Sequence, residues 1–117
     1  MPYISLQTVV ELPAYLRAAK ACGMTDAEMA GAVDYLARHP EAGDLIVGSG
    51  GCRKLRLAGK GKGKSGGYRV ITYFARADEP VFLLWVIAKS QAANLSDAQV
   101  NTLATAVKTL MPARLEK

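Results

Sequence analysis

The sequence predicts an α+β fold in which two N-terminal helices precede an antiparallel β-sheet and a C-terminal helix ends the chain. Two segments, 25–40 and 96–112, begin with a helix start signal and continue with apolar residues at helical spacing. Between them, from Leu45 onward, apolar residues alternate with polar ones or form short runs, as they do in strands. The chain has 117 residues, the length of one domain, so we expect a single domain over residues 1–117.

The N-terminal part of the chain is predicted to form a short strand and then two helices. Tyr, Ile and Leu at alternate positions favour a strand over residues 3–7. Pro13 suits the first turn of a helix, because its missing N–H costs little there, and Gly23 suits the end. Thr25 and Glu28 have the spacing of a capping box and predict the start of the second helix.

The segment that begins at Leu45 predicts a β-meander. In the run RKLRL, at residues 53–57, the alternation places Lys54 and Arg56 on one face of a strand. The run YRVITYF, at residues 68–74, is rich in β-branched and aromatic residues. The uninterrupted apolar run VFLLWVIA, at residues 81–88, predicts a central strand that is covered on both faces.

The last element is a predicted amphipathic helix. Ser96 and Gln99 form a second capping box, and Pro112 ends the segment. The apolar residues of this helix form one stripe, which must pack on the sheet: Val100, Leu103, Ala104, Val107, Leu110 and Met111.

Positive charge is concentrated in one part of the chain. The net charge is +5, from 15 Lys+Arg and 10 Asp+Glu. Between Leu45 and Ala77 there are no acidic residues and eight basic ones, which are Arg53, Lys54, Arg56, Lys60, Lys62, Lys64, Arg69 and Arg76. A concentrated field of one sign attracts a polyanion such as the phosphate backbone of a nucleic acid. The alternative is a solvated, flexible basic loop that only aids solubility.

Other classes of protein fit the sequence poorly. No stretch approaches the roughly 20 apolar residues that span a bilayer, and the N-terminus lacks the features of a secretory signal, so we expect a cytoplasmic protein without membrane contact. Cys22 and Cys52 are isolated and are expected to be reduced thiols. The glycine-rich segment lacks the spacing of a phosphate-binding loop. We expect no metal and no cofactor.

The basic side chains on the predicted strands suggest a reaction at a phosphate group. Lys54, Arg56 and Arg69 can converge across neighbouring antiparallel strands, and Lys89 follows the next strand. Such groups could hold a scissile phosphate and stabilise a pentacoordinate transition state, with an RNA 2′-OH as the nucleophile. A lysine crowded by other cations loses its proton more easily, which makes Lys54 a candidate base. The alternative is that these are exposed sheet residues with no chemical role.

The run PEAGDLIVGSGGCRKLRLAGKGKGKSGGYRVITYF (Pro40 to Phe74), followed by VFLLWVIAKSQAANLSDAQ, resembles the RelE/HigB branch of bacterial type II toxin–antitoxin toxins. Two blocks carry the resemblance, P-x-x-G-D-x-I-x-G-x-G-G-x-R-K-x-R and GKGK-S/R-GG-x-R-V-I, and they keep their spacing together. The resemblance implies a compact RelE-like fold and an mRNA interferase that cleaves translated mRNA in the ribosomal A site without a metal ion. It also implies a cognate, HigA/RelB-like antitoxin as partner, besides the ribosome and mRNA.

The resemblance also implies roles for individual residues. The catalytic set falls on Lys54, Arg56, Arg69 and Lys89, although Ser90 matches the last position equally well in some relatives. The RNA-binding set is Arg53, Lys60, Lys62, Lys64, Tyr68 and Tyr73. Relatives often have tyrosine where this chain has Thr72 and Ile87, which leaves two alternatives: Tyr68 or Tyr73 stacks on a base instead, or the activity is weakened.

Two other functions stay open at the level of sequence. One is a ParE-like poison of DNA gyrase, which shares the superfamily fold but does not need the basic set. The other is a non-catalytic RNA or ribosome binder, whose basic face serves only as an anchor.

Overall fold

The structure, a computed structural model, describes residues 6–57, 67–88 and 95–110. Within these ranges the chain forms three helices and five strands, and none of the helices is long and apolar enough to span a membrane. In chain order the elements are β1 (Val9–Glu11), α1 (Pro13–Cys22), α2 (Asp26–Arg38), β2 (Asp44–Leu45), β3 (Cys52–Leu57), β4 (Tyr68–Tyr73), β5 (Val81–Ala88) and α3 (Asp97–Leu110). The predicted α+β fold is confirmed.

The five strands form one sheet in the order β1-β5-β4-β3-β2. Strands β2 to β5 pair in antiparallel fashion, as predicted, whereas β1 runs parallel to β5 and makes the sheet mixed. The prediction of a first strand over residues 3–7 is wrong for Leu6 and Gln7, and residues 3–5 lie outside the described ranges. The Gln7 N–H donates to the Ala37 carbonyl, so this part of the chain is bound to the end of α2 and pairing with β5 begins only at Val9.

The helix boundaries follow the signals in the sequence. Helix α1 ends at Gly23, whose φ of +81° allows its N–H to bond to carbonyls of the last turn. Both capping boxes are present. The Glu28 N–H donates to Thr25 Oγ1 at 3.0 Å while the Thr25 N–H donates to Glu28 Oε1 at 2.8 Å, and Ser96 and Gln99 form the same reciprocal pair.

Each face of the sheet is covered by helices. Helices α1 and α2 pack on one face, in a core whose largest fully buried side chains are Tyr15, Leu36, Val70, Val81, Leu83 and Val86. Helix α3 packs on the other face, over Cys52, Ile71, Tyr73 and Leu84, through its buried Leu103 and Val107. Strand β5 contributes to both cores, as expected of a central strand. Met111, the last residue of the predicted α3 stripe, lies outside the described residues.

Candidate nucleic-acid interface

Strands β3 and β4 bring three cations to one face of the sheet. Their register places Arg56 opposite Arg69 and Lys54 opposite Ile71, and opposed residues of antiparallel strands share a face. This is the α3 face, because Ile71 and Cys52 lie in the α3 core. We call Lys54, Arg56 and Arg69 the basic triad. Arg56 is exposed, whereas Lys54 and Arg69 are half-buried.

Among the described residues, no ion pair neutralises the charge of the basic triad. Within residues 6–57, 67–88 and 95–110, no carboxylate forms an ion pair with Lys54, Arg56 or Arg69, and the ion pairs described lie elsewhere, at Arg38–Asp34 and Arg76–Asp78. Like charges placed directly opposite each other in a sheet are destabilising. The Arg69 Nε is in addition buried without a hydrogen-bond partner in the described part of the chain. Both features favour binding of an anion that accepts hydrogen bonds, such as phosphate.

The segment before β3 fixes the position of the basic triad. Ser49 is fully buried, and its hydroxyl donates to the Ile46 carbonyl at 2.7 Å and accepts from the Cys52 N–H at 2.9 Å. Gly43 has a φ of +100°, and a Cβ at this position would lie 2.5 Å from the carbonyl oxygen of Lys54. Only glycine fits there. Both residues lie inside the first sequence block, yet spacing alone did not indicate that they support the strand of Lys54.

A family model described as the RelE toxin of the RelE/RelB toxin–antitoxin system matches residues 9–117. The chain belongs to the RelE toxin family. The structure also resembles that of a mutant of the E. coli toxin RelE in the free state, with a TM-score of 0.53 and 18% identity over 87% of this chain and 97% of that chain. At that identity the likeness establishes the shared fold. This RelE-family protein is therefore the toxin of a toxin–antitoxin system, which implies an antitoxin as partner.

Arg53 of the RelE-family toxin lies on the opposite face from the basic triad. It pairs with Thr72, which is fully buried on the α1/α2 side, and its Nη1 donates to the Gly43 carbonyl at 3.1 Å. This contact gives Arg53 a structural function, since it attaches the chain before β2 to β3. Binding of RNA by Arg53 stays a prediction.

The two predicted stacking residues occupy different environments. Tyr68 packs against the α1/α2 core, and its hydroxyl lies 3.5 Å from Glu28 Oε1. Desolvation by burial, followed by the charge of Glu28, raises the pKa of the Tyr68 hydroxyl. Tyr73 is on the face of the basic triad but is only 6% exposed in the α3 core. Stacking by either ring stays a prediction.

The apolar neighbours of the basic triad come instead from β5. The register places Trp85 opposite Ile71 and Ile87 opposite Arg69. Sequence reasoning did not identify Trp85, because an uninterrupted apolar run carries no alternation that tells one face from the other. A bulge in β5 also changes which of its side chains point to each face of the sheet. Trp85 pairs with Ile71 and Leu83 pairs with Thr72, so Leu84 is the extra residue between them.

Four predicted site residues lie outside the described ranges. They are Lys60, Lys62 and Lys64 of the glycine-rich segment and Lys89 after β5. Their roles stay predictions, and the described site consists of the basic triad with Trp85 and Ile87 beside it.

Proposed function

We propose that this RelE-family toxin is a ribosome-dependent endoribonuclease that cleaves mRNA without a metal ion and binds the scissile phosphate at the basic triad. The observation that carries the proposal is the direct opposition of Arg56 and Arg69, with the Arg69 Nε buried and unpartnered among the described residues. Two guanidinium groups held by paired strands present hydrogen-bond donors in fixed directions. A phosphate is the ligand that this geometry fits best.

The proposed reaction is attack of the RNA 2′-oxygen on the adjacent phosphorus. The 2′-OH proton passes to a base, for which Lys54 is the candidate, and the new O–P bond forms as the bond to the 5′-oxygen breaks. The products are a 2′,3′-cyclic phosphate and a 5′-hydroxyl, whose oxygen takes up one proton. Arg56 and Arg69 stabilise the additional negative charge of the pentacoordinate phosphorus. Lys89, which lies outside the described residues, stays a predicted member of the catalytic set.

The requirement for the ribosome fits this limited set of groups. The described site supplies cations and a candidate base, and a reaction of this kind depends strongly on the in-line orientation of the attacking oxygen. A translating ribosome would hold the mRNA in that orientation, in the cytoplasm where its substrate is found. The antitoxin, which the resemblance identifies as HigA/RelB-like, would block the activity.

The test compares Arg69→Ala with Arg76→Ala in the same basic segment. Arg69→Ala should lower the rate of mRNA cleavage by roughly 10²–10³ and abolish growth inhibition, because it removes one donor to the transition state. Arg76→Ala should leave both unchanged, since Arg76 forms an exposed ion pair with Asp78 outside the triad. The measurement is the mapping of mRNA 5′ ends after brief induction. Arg69→Ala protein that is folded, binds antitoxin and remains as toxic as the parent would show that the site is assigned wrongly.

The same experiment separates the alternative functions. A non-catalytic RNA or ribosome binder would inhibit growth without new mRNA 5′ ends, and its RNA binding would weaken steeply with salt. A gyrase poison would leave mRNA intact and inhibit supercoiling in a purified assay. The gyrase alternative does not account for the opposed arginines on β3 and β4, whereas the RNA-binding alternative differs from the nuclease in the absence of cleaved mRNA.

A further inference from the structure

A groove with a volume of about 600 Å³ lies beside β5, between α1 and the start of α3. Strand β1 pairs only with the first three residues of β5, so the later part of the β5 edge faces α1 instead of a strand. The residues of the groove that the argument uses are Arg17 and Ala18 of α1, Trp85 and Ile87 of β5, and Gln99 of α3. A cavity of this size suits a small planar ligand or part of a polymer.

Trp85 and Ile87 line the groove and also lie beside the basic triad in the sheet. On the α3 face one row across the sheet is Lys54, Ile71 and Trp85, and the next row is Arg56, Arg69 and Ile87. Trp85 is half-buried, because it packs against the α3 core and also lines the groove. Trp85 is the diagonal neighbour of Arg69 across the sheet, and diagonal neighbours lie about 7–8 Å apart, so an RNA strand whose phosphate binds at Arg69 reaches Trp85 within about one nucleotide.

The chemistry of the lining fits a nucleobase with its phosphate. No Asp or Glu is among the described residues that line the groove. Arg17 is exposed and forms no ion pair within the described part of the chain. The Gln99 Oε1 accepts from the Ser96 N–H, which leaves the Gln99 amide NH₂ group for a ligand. An indole face, a cation and an amide donor are the groups with which proteins hold an unstacked base.

We propose that an RNA base next to the scissile phosphate stacks on Trp85 in this groove and that Arg17 contacts the adjoining phosphate. The proposal rests on the proposed function for the identity of the polymer. It makes Trp85 a residue that selects and orients the mRNA, whereas the basic triad acts on the phosphate. The Trp85 ring then replaces the stacking expected of Tyr68 and Tyr73.

The test uses the intrinsic fluorescence of Trp85, the single tryptophan of the chain. The probe is a short 2′-O-methyl RNA oligonucleotide, which cannot be cleaved, and its control is an abasic oligomer of equal length and charge. Binding is followed independently by the anisotropy of a 5′ label. We expect the oligonucleotide to change Trp85 emission in proportion to binding and the abasic oligomer to bind without this change. Binding that leaves the emission unchanged, or no binding up to millimolar oligonucleotide, would overturn the proposal.

Substitutions of Trp85 separate stacking from packing. Trp85→Leu keeps an apolar side chain in the core but removes the ring, and it should weaken binding of the oligonucleotide by roughly 5- to 150-fold while binding of the abasic oligomer stays the same. Trp85→Phe restores a ring and should recover much of the affinity. Equal loss for both oligomers would indicate a structural effect and would contradict stacking. Thermal unfolding of each variant confirms that it is folded.

Arg17 has a matched control on the same helix. Arg17→Gln should reduce the slope of log affinity against log salt by about 0.7, the value of one phosphate contact on a single strand. Lys20→Gln removes an exposed charge of α1 that does not line the groove, and it should leave the slope unchanged. Equal slopes for the two variants would contradict the phosphate contact.

Failure of this proposal differs from failure of the proposed function. If the toxin cleaves mRNA on the ribosome but its Trp85 fluorescence does not change on addition of RNA, the base site alone is refuted. Oligonucleotide-dependent emission in a protein that yields no new mRNA 5′ ends would refute the nuclease alone. A response of Trp85 to the purified antitoxin but not to RNA would assign the groove to that protein and overturn the base site.

Discussion

Replacement of Gly43 by alanine adds one methyl group but should be among the most destabilising single changes near the site. The added Cβ would lie 2.5 Å from the carbonyl oxygen and 2.9 Å from the carbonyl carbon of Lys54, both of which are backbone atoms. No flexible side chain can move to relieve the contact. The strand that carries Lys54 and Arg56 must therefore shift away from β2.

The size of the effect follows from two independent costs. The φ of Gly43 is +100°, and an L-residue in that region costs about 1–2 kcal/mol. Overpacking against a fixed neighbour costs about 1–3 kcal/mol. The free energy of unfolding should therefore fall by roughly 2–5 kcal/mol, a large part of the about 5–15 kcal/mol that is typical of a domain.

Two other glycines of the chain provide matched controls. Gly23, at the end of α1, has a φ of +81° and open space around its Cα, so Gly23→Ala should cost only the backbone strain of about 1–2 kcal/mol. Gly31 lies within α2, where a Cβ also meets nothing within 4 Å. Gly31→Ala should stabilise the protein by about 0.5–1 kcal/mol, because alanine is the better helix former.

The assay is urea unfolding of the three variants and the parent, followed by Trp85 fluorescence and circular dichroism. The expected order of stability is Gly31→Ala, parent, Gly23→Ala and Gly43→Ala, from most to least stable. Gly43→Ala protein that remains folded should also cleave mRNA poorly, because the displaced backbone belongs to Lys54. A Gly43→Ala variant no less stable than Gly23→Ala would refute the close approach of Gly43 to β3.

Three further predictions concern buried polar groups. Ser49→Ala should lower the free energy of unfolding by about 1–3 kcal/mol in urea, because the Cys52 N–H loses its acceptor; an unchanged value would contradict this. Burial, and then the charge of Glu11, raises the pKa of Tyr15 to about 12 from 10.0. The folded state therefore favours the protonated phenol. The contribution of Tyr15 to the free energy of unfolding is intact below pH 10 and decreases by about 3 kcal/mol as the pH rises towards 12. Tyr15→Phe should show a shallower alkaline loss than the parent in urea unfolding at pH 9 to 12, and parallel curves would contradict it. The Thr72 hydroxyl is buried and unpartnered among the described residues, so Thr72→Val should raise the urea midpoint by the equivalent of about 1 kcal/mol, whereas a lower midpoint would reveal a bond to that hydroxyl.

Local signals in the sequence predicted most of the elements. The two capping boxes predicted the starts of α2 and α3, and Pro13 and Gly23 predicted the ends of α1. The apolar run at residues 81–88 coincides with β5. These features act within a few residues, because a cap or a breaker satisfies or removes backbone groups beside it. The predicted first strand was wrong at Leu6 and Gln7, because the position of β1 depends on pairing with β5, about 70 residues away.

The sequence also predicted which strand residues share a face in β3, since alternation has a period of two. Lys54 and Arg56 are on one face, and the register adds Arg69. The alternation could not predict the surroundings of these side chains. Arg53 turned out to bind Gly43, Tyr73 is buried, and a bulge at Leu84 sets which residues of β5 face the triad.

By itself, the sequence determined the class of fold, the boundaries of the helices and the concentration of positive charge, because each depends on spacing along the chain. The tertiary structure alone decided that Arg56 opposes Arg69, that Gly43 and Ser49 hold β3 in place, and that Trp85 lines a groove beside the strands of the basic triad. These relations join residues from separate elements, and they exist only once strand register and packing are set.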